Sequence, residues 1–389
     1  MVICFAVFFT FWYVLELVFP LRLLYRCMQN VVLGTEGDLN PRLLKMMQSV
    51  WQCHTLTSNF RKAAQLIKRP VFPSPGTDLK PTEILVKNSY VGINASDINW
   101  TAGRYDPNAK PPFDLGFEGL GEIVGRGKGV ASTIKDGQFV AYMKYGAFAD
   151  YITLDSRHVF PVPSADPGFL PLLVSGMTAS IGLEEVGRIR PDKNPAETIL
   201  VTAAAGGTGQ FAVQWAKLHG CHVIGTTSSD SKGKFLSDIG CDRVINYKTE
   251  DFSQVLRTEY PKGVDCVYES VGGGMFDVCL NNLAQKGRLV VIGFITDYQD
   301  EKTGFKPNKS LSLLPAKLLR KSASVGGFFL FHYADQFPVH FLRLARLYAE
   351  GKLTSKVDLS YRGLESIPDA VEYLHSGKSL GKVVVDLTA

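Results

Sequence analysis

A glycine-rich turn is the first stretch of the sequence with an evident chemical use. It lies in TILVTAAAGGTGQFAVQ (198–214), between an apolar run and a helical pattern. Small residues at Ala203, Gly206 and Gly209 let the backbone approach a pyrophosphate, and the first NH groups of the helix would point at it. The spacing departs from the strict G-x-G-x-x-G pattern, and a plain tight turn is the alternative. The flanking strand and helix signals favour a dinucleotide site.

The next apolar run ends in hydroxyl side chains rather than in a carboxylate. In VIGTTSSDSK (223–232), Ser228 follows the run and Lys232 lies one turn further on. An NAD site usually has an acidic residue here, which accepts hydrogen bonds from the ribose 2′-OH. A hydroxyl and a cation instead suit a 2′-phosphate. The sequence therefore predicts NADPH, with Ser229 as a helix N-cap and Asp230 two residues past the expected acidic position.

A third stretch resembles a pocket wall without metal ligands. GINASDINWTAGRY (92–105) and LGFEGLGEI (115–123) contain small residues, amides and carboxylates, but the chain has no Cys from 54 to 220 and no His from 55 to 157. Zinc prefers thiolate and imidazole ligands, so Asp97 and Glu118 alone would make a poor site. We predict no metal.

The elements that must position these residues fall into two patterns. Short alternating strands with Gly and Pro between them, from about 47 to 165, predict a compact β-barrel-like domain. From about 170 to 320 strands alternate with helices, which predicts βαβ units and a doubly wound parallel sheet. We therefore predict an α/β protein with an N-terminal extension (1–46), a catalytic domain (47–169 and 325–389) and a dinucleotide domain (170–324).

Composition limits the class of protein. The chain has 389 residues, of which 46% are hydrophobic and 20% charged, as in an ordinary folded protein. Its net charge of +5 is spread without a Lys/Arg block, so we expect no nucleic-acid partner. Seven scattered Cys without a C-x-x-C pair predict a reducing compartment.

The N-terminal segment is unusually apolar. Residues 1–15 carry no charge, and Arg22 and Arg26 follow. The run is marginal for a bilayer span, which needs about 20 residues. Membrane contact through residues 1–21, a docked apolar segment and an upstream extension all remain open.

Several long motifs resemble those of the medium-chain dehydrogenase/reductase superfamily, in its zinc-independent, quinone-oxidoreductase-like branch. The resemblance covers residues 47–389 and rests on ASDINWTAGRYDPNAKPPFDLGFEGLGEIV, LLVSGMTASI, VTAAAGGTGQFAVQ, VYESVGG and ASVGGFFLFHY. It implies a GroES-like β-barrel domain beside a Rossmann domain. Zinc-dependent members carry Cys where Asn94 stands and His where Phe117 stands, so this chain departs from them at the metal site.

The resemblance also implies an activity. We expect NADPH-dependent reduction of the conjugated C=C bond of an α,β-unsaturated ketone, such as the 13,14 double bond of 15-keto-prostaglandins, without zinc. A quinone or enoyl-thioester reductase is the alternative enzyme, and a non-catalytic NADPH-binding or membrane-docked protein is the alternative of another class. The resemblance further suggests a homodimer and a cytoplasmic or peroxisomal location.

Site residues follow from the same resemblance. Tyr298 and Tyr105 compete as the hydroxyl donor that stabilises the enolate. Asn94 is expected beside the substrate carbonyl, with Phe113 and Phe117 around an acyl tail. The expected cofactor-binding residues are Gly206, Gly207, Thr208, Gly209, Ser228, Lys232, Tyr247, Ser270, Ile292, Tyr298, Phe328, Phe329 and Leu330.

Overall fold

A computed structural model describes most of the chain beyond the N-terminal extension. The described residues are 47–71, 79–106, 108–191, 196–300 and 312–388. The chain separates into two units, Met1–Met47 and Gln48–Ala389, and the fold below belongs to the second. The predictions for residues 1–46, including membrane contact, lie outside the described residues.

Short strands separated by turns form the first β region. These are β1 (Met47–Cys53), β2 (Ala64–Pro70), β3 (Glu83–Gly92), β4 (Phe113–Asp114), β5 (Glu118–Arg126), β6 (Phe139–Met143), β7 (Tyr151–Asp155) and β8 (Val159–Val162), with helices α1 (Phe60–Ala63) and α2 (Asp97–Thr101). The central strand β3 pairs antiparallel with β5 and β7, and its register places Val86 opposite Ile123 and Ile152, all of them buried. A buried apolar face of this kind fixes the register of a β-sheet.

The middle of the chain forms the predicted parallel sheet, which confirms the fold class. Its elements are α3 (Pro167–Val186), β9 (Thr198–Val201), α4 (Gly209–Leu218), β10 (His222–Thr227), α5 (Asp230–Asp238), β11 (Arg243–Asn246), α6 (Phe252–Glu259), β12 (Val264–Glu269), α7 (Gly273–Asn281), β13 (Leu283–Val291), α8 (Leu314–Lys321) and β14 (Ser324–Gly327). The strand order is β11-β10-β9-β12-β13-β14, and every pairing is parallel. The order reverses between β9 and β12, which is where such sheets bind ligands.

The C-terminal segment returns to the first β region. It comprises α9 (Phe337–Ala349), β15 (Val357–Arg362), α10 (Ile367–His375) and β16 (Lys382–Asp386). The sheet order is β15-β16-β3-β5-β6-β8, so β16 pairs directly with β3. This segment therefore reaches the middle of the first β region and carries Lys382 into it.

Helix α3 is the one described helix with the length and apolar composition of a membrane span. However, 78% of its most apolar window is buried inside the protein. Leu170, Met177 and Ile181 are fully buried in the largest core cluster. Packing between the two sheet regions thus accounts for the apolar composition of this helix.

Candidate functional site

A cleft of about 530 Å³ lies between the parallel sheet and the β domain, at the reversal in strand order. All thirteen residues expected to bind the cofactor line it: Gly206, Gly207, Thr208, Gly209, Ser228, Lys232, Tyr247, Ser270, Ile292, Tyr298, Phe328, Phe329 and Leu330. Residues from distant parts of the sequence thus meet in one cavity, whose volume is in the range of small-molecule and cofactor sites.

The glycine-rich turn has a backbone that few other residues could adopt. Ala203 takes a positive φ of 46°, and a Cβ on Gly209 would lie 2.4 Å from the Ala203 carbonyl oxygen. Thr208 stands at the N-cap position of α4, but its hydroxyl lies 2.6 Å from the Tyr268 hydroxyl and 3.1 Å from the Ser175 carbonyl oxygen. The side chain of Thr208 therefore ties the turn to its neighbours, and the backbone is left to face a pyrophosphate.

The end of β10 offers a hydroxyl and a cation for a 2′-phosphate. The Thr227 Oγ1 atom is buried in the cleft and has no hydrogen-bond partner in the described part of the chain. Such a group is costly unless a ligand or water satisfies it. Lys232 lines the same corner, where its Nζ atom donates to the Gly377 carbonyl oxygen at 2.6 Å, and burial lowers its pKa. The residues present fit NADPH.

The neighbouring side chains explain why Asp230 does not oppose that phosphate. Its Oδ1 atom accepts a hydrogen bond of 2.8 Å from the Asn246 amide, which holds the carboxylate toward β11. Ser229 accepts from the Lys232 backbone at 3.4 Å and caps α5, as the sequence predicts. Tyr247 lines the cleft beside them.

A buried carboxylate shapes the opposite half of the cleft. Glu269 is fully buried at the end of β12 and accepts hydrogen bonds from the backbone of Val271 at 2.9 Å and of Gly272 at 3.0 Å. Burial raises its pKa. These bonds fix the turn that carries Ser270, whose hydroxyl donates to the Thr202 carbonyl oxygen at 3.4 Å. This half, with Ile292 and Phe328, would face a nicotinamide.

A buried polar cluster includes Asn94, the position at which the family resemblance implies a Cys ligand in zinc-dependent members. The Lys382 Nζ atom lies 2.5 Å from both Glu118 Oε1 and Asn94 Oδ1, and the Asn94 amide donates to Glu118 at 3.0 Å. Lys382 is 2% exposed and Glu118 is 0% exposed. Among the residues that the structure describes, no group of three or more His, Cys, Asp or Glu is placed to hold a metal ion. The donor set does not fit zinc.

Asn94, which is expected beside the substrate carbonyl, belongs to this cluster. The residue lines the cleft, but its amide nitrogen and oxygen are both bonded, to Glu118 and Lys382. A substrate carbonyl would compete with these bonds for the Asn94 amide, and the expected contact stays a prediction. Asn94 also orients two buried charges.

Asp97 is a second buried carboxylate in the same loop. Its Oδ2 atom accepts from the Asn94 backbone at 2.8 Å, whereas its Oδ1 atom is buried without a partner in the described residues. Burial raises its pKa to about 8, although the Asn94 hydrogen bond and the nearby Lys382 charge act in the opposite direction. We expect it to be mostly protonated at neutral pH.

The two candidate tyrosines meet at the nicotinamide half. Tyr298 is 6% exposed, and its hydroxyl accepts from the Phe294 backbone at 3.3 Å. Tyr105 is 37% exposed, and its hydroxyl accepts from the Asn99 amide at 3.2 Å. Burial raises the pKa of both phenols, and in Tyr298 the proximity of Tyr105 raises it further. Both are therefore neutral donors at physiological pH.

Aromatic rings form the wall of the substrate side. Phe117 lines the cleft and packs at 5.1 Å from Tyr145, which stacks on Trp100 at 4.0 Å. Phe113 is not among the lining residues, because it lies against Trp100 at 5.2 Å. Trp100 connects Phe113 to the wall, and contact between Phe113 and the substrate stays a prediction.

Sequence reasoning missed several residues of the cleft. Lys382 stands in the final GKVVVDL strand, where a Lys reads as a surface residue. Tyr145 and Phe331 add rings to the aromatic wall, and their centroids are 6.3 Å apart. The aromatic run FFLFHY (328–333) was a usable signal for Phe331, but no local pattern marks Tyr145 or Lys382.

Comparisons with known proteins place these features in context. The zinc-binding dehydrogenase family matches residues 207–346, and the alcohol dehydrogenase GroES-like domain matches residues 80–164. The chain is 52% identical over 362 residues to mouse prostaglandin reductase-3, covering 91% of this chain and 92% of that protein. It is 32% identical to the NADP(+)-dependent 2-alkenal reductase of Nicotiana tabacum, and the match covers 78% of this chain and 87% of that protein. The structure resembles that of Escherichia coli quinone oxidoreductase complexed with NADPH, with a TM-score of 0.73 and 27% sequence identity. The match covers 87% of this chain and 100% of that one.

Proposed function

The chain belongs to the medium-chain dehydrogenase/reductase superfamily, in its quinone-oxidoreductase-like branch, and from this we propose that it is an NADPH-dependent reductase of conjugated C=C bonds. The substrates would be α,β-unsaturated ketones. The likeness to prostaglandin reductase-3 favours 15-keto-prostaglandins, reduced at the 13,14 double bond.

One observation carries the proposal. A single cleft joins a corner suited to a 2′-phosphate, at Thr227 and Lys232, with two phenol hydroxyls at its other half, Tyr105 and Tyr298. The first feature selects NADPH, and the second supplies hydrogen-bond donors where charge develops on a carbonyl oxygen. Asn94, which stands where the family resemblance implies a zinc ligand, accepts a hydrogen bond from the Lys382 ammonium group.

The chemistry can be assigned to the residues of the chain. NADPH bound in the cleft would supply a hydride. Addition of that hydride to the β-carbon moves the electrons of the double bond toward the carbonyl oxygen. A phenol hydroxyl that donates to this oxygen is stabilising because the interaction strengthens in the transition state. Transfer of a proton to the α-carbon then completes the reduction, and solvent restores the donor.

The aromatic wall suits the remainder of such a substrate. Tyr145, Phe329 and Phe331 are each more than one third exposed in the cleft. Rings that stay accessible bind apolar chains through burial, at about 25 cal/mol per Å² of apolar surface removed from water. A lipid-like enone would place its tail along this wall.

The test compares three substrate classes in parallel. Loss of NADPH absorbance is followed with a 15-keto-prostaglandin, a quinone and an enoyl-CoA. We expect the highest kcat/KM with the 15-keto-prostaglandin. A higher value with the quinone or the thioester would support those alternatives instead. Tight NADPH binding with no turnover of any substrate would identify a non-catalytic binding protein.

The proposal extends to assembly and location. We propose a homodimer through the outer strand β14, which in the described sheet pairs only with β13. Leu313 and Leu319, beside and within the adjoining α8, are largely exposed. Analytical ultracentrifugation would test this.

We also propose a cytoplasmic or peroxisomal location, with membrane contact through residues 1–21. Cell fractionation that compares the protein of 389 residues with a variant beginning at Met47 would test this proposal.

A further inference from the structure

The Asn99 side chain lies at the centre of the tyrosine pair. It belongs to α2 and is 2% exposed. Its amide nitrogen donates to the Tyr105 hydroxyl at 3.2 Å, and its amide oxygen accepts from Arg104 Nη1 at 2.8 Å. Burial raises the pKa of Tyr298, and the Asn99 side chain acts in the opposite direction.

Arg104 determines which end of the amide faces Tyr105. A guanidinium group only donates hydrogen bonds, so the atom bonded to Arg104 must be the Asn99 oxygen. The amide nitrogen then faces Tyr105, and an amide nitrogen also only donates. The Tyr105 hydroxyl consequently acts as acceptor in this bond, and its own proton is left for another acceptor.

Arg104 is itself held in place from the other side of the cleft. Its Nη1 atom also donates to the Tyr298 carbonyl oxygen at 2.8 Å, and Nη2 donates to the Asp300 carbonyl oxygen at 2.6 Å. The guanidinium thus joins the loop that carries Tyr298 to the end of α2. This fixes the orientation of the Asn99 amide.

The surroundings of Tyr105 favour donation into the cleft. The residue lines the cleft, and its ring packs at 5.6 Å from Phe329 on the nicotinamide side. Burial raises the pKa of Tyr105, whereas hydrogen bonds from Asn99 and Ser96 lower it by stabilising the tyrosinate. A donor that loses a proton during turnover is helped by such bonds.

We propose that Arg104 and Asn99 are positioning residues that make Tyr105 the proton donor of the reaction, with its hydroxyl proton directed to the substrate. This inference rests on the proposed function. In the step it describes, the O–H bond of Tyr105 breaks and its proton joins the α-carbon as the β-carbon gains the hydride. The Asn99 N–H stabilises the tyrosinate until water reprotonates it.

The decisive variant is Asn99→Asp. A carboxylate of nearly the same shape keeps the bond to Arg104 but presents an acceptor to Tyr105, so the hydroxyl proton is drawn to the carboxylate. We expect kcat to fall about 10- to 100-fold with little change in the Kd for NADPH, and the solvent isotope effect on kcat to increase.

A double-mutant comparison separates this role from general damage. Tyr105→Phe should lower kcat by a similar factor, and Asn99→Asp should have no further effect in the Tyr105→Phe background. Tyr142→Phe is the matched control, because Tyr142 donates to Asn88 Oδ1 at 2.6 Å in a buried pair of the β domain away from the cleft. It should lower the Tm and leave kcat unchanged.

Two results would overturn the inference while leaving the proposed function intact. One is wild-type kcat in Tyr105→Phe or in Asn99→Asp. The other is a kcat in the double variant that falls by the product of the two factors measured in the single variants. If Asn99→Asp does not fold, Asn99→Ser removes both hydrogen bonds with a small polar side chain and enters the same comparison. A wild-type protein that reduces none of the enones would instead overturn the proposed function.

Discussion

Replacing Lys382 with Met would leave a carboxylate without its counter-charge in the interior of the protein. Glu118 is fully buried, and the Lys382 ammonium lies 2.5 Å from it. Removing one partner of a buried ion pair costs about 3–5 kcal/mol, since the remaining charge is not compensated. One kcal/mol corresponds to about 2–4 °C in a domain of this size. We therefore expect the Tm of Lys382→Met to fall by about 6–20 °C.

Scanning calorimetry with two further variants tests this reasoning. The double variant Glu118→Gln with Lys382→Met should regain part of the loss, because a neutral amide still accepts from the Val174 backbone, which donates to Glu118 at 3.1 Å. Arg346→Met, which breaks an exposed ion pair with Glu350, should shift the Tm by about 1–2 °C. A loss in Lys382→Met no larger than in Arg346→Met would refute a stabilising role for the pair. Equal losses in the single and double variants would refute the argument from uncompensated charge.

Three further predictions concern the cofactor site and the buried loop. Lys232→Ala should raise the KM for NADPH about 10- to 100-fold with little change in kcat. The control Lys234→Ala, at an exposed residue, should leave both constants unchanged. Equal increases in the KM for NADPH and for NADH would contradict a contact between Lys232 and the 2′-phosphate. Gly209→Ala should weaken NADPH binding in a fluorescence titration by about tenfold, which is a loss of about 1.4 kcal/mol, because its Cβ would lie 2.4 Å from the Ala203 carbonyl oxygen. Burial raises the pKa of Asp97 to about 8 in the folded protein. Between about pH 4 and 8 the unfolded chain has lost this proton while the folded protein keeps it, so the free energy of unfolding falls as pH rises. Asp97→Asn should flatten that fall in Tm measurements from pH 5 to 8, and an unchanged slope would count against the shift.

The dinucleotide half of the molecule could be predicted from the sequence because its signals are local. The strand β9, the turn at Gly206 and the helix α4 follow one another directly, and each has its own pattern. Lys232 lies one helical turn from Ser228, so the corner for the 2′-phosphate is also read from a single segment. Tertiary contacts were not needed to find it.

The substrate half could not be predicted in the same way, because its side chains find partners from remote segments. Asn94 reads as a free amide in the loop sequence, yet Lys382, 288 residues further on, occupies its oxygen. Phe113 reads as a pocket residue, but Trp100 lies against it. The direction of the Tyr105 hydroxyl depends on an amide orientation that only the guanidinium of Arg104 determines.

The position of β16 in the sheet has a consequence for biosynthesis. Strand β3 emerges from the ribosome well before β16, which pairs with the end of β3 at Tyr90–Gly92 and carries the Lys382 partner of Glu118. At about 5–20 residues per second, the 288 residues between Asn94 and Lys382 take roughly 15–60 s to translate. Throughout that interval the Tyr90–Gly92 end of β3 lacks its β16 partner and Glu118 lacks Lys382. All strands of the parallel sheet, up to β14, are therefore made before β16, and the β domain can close only after the parallel sheet has been synthesised.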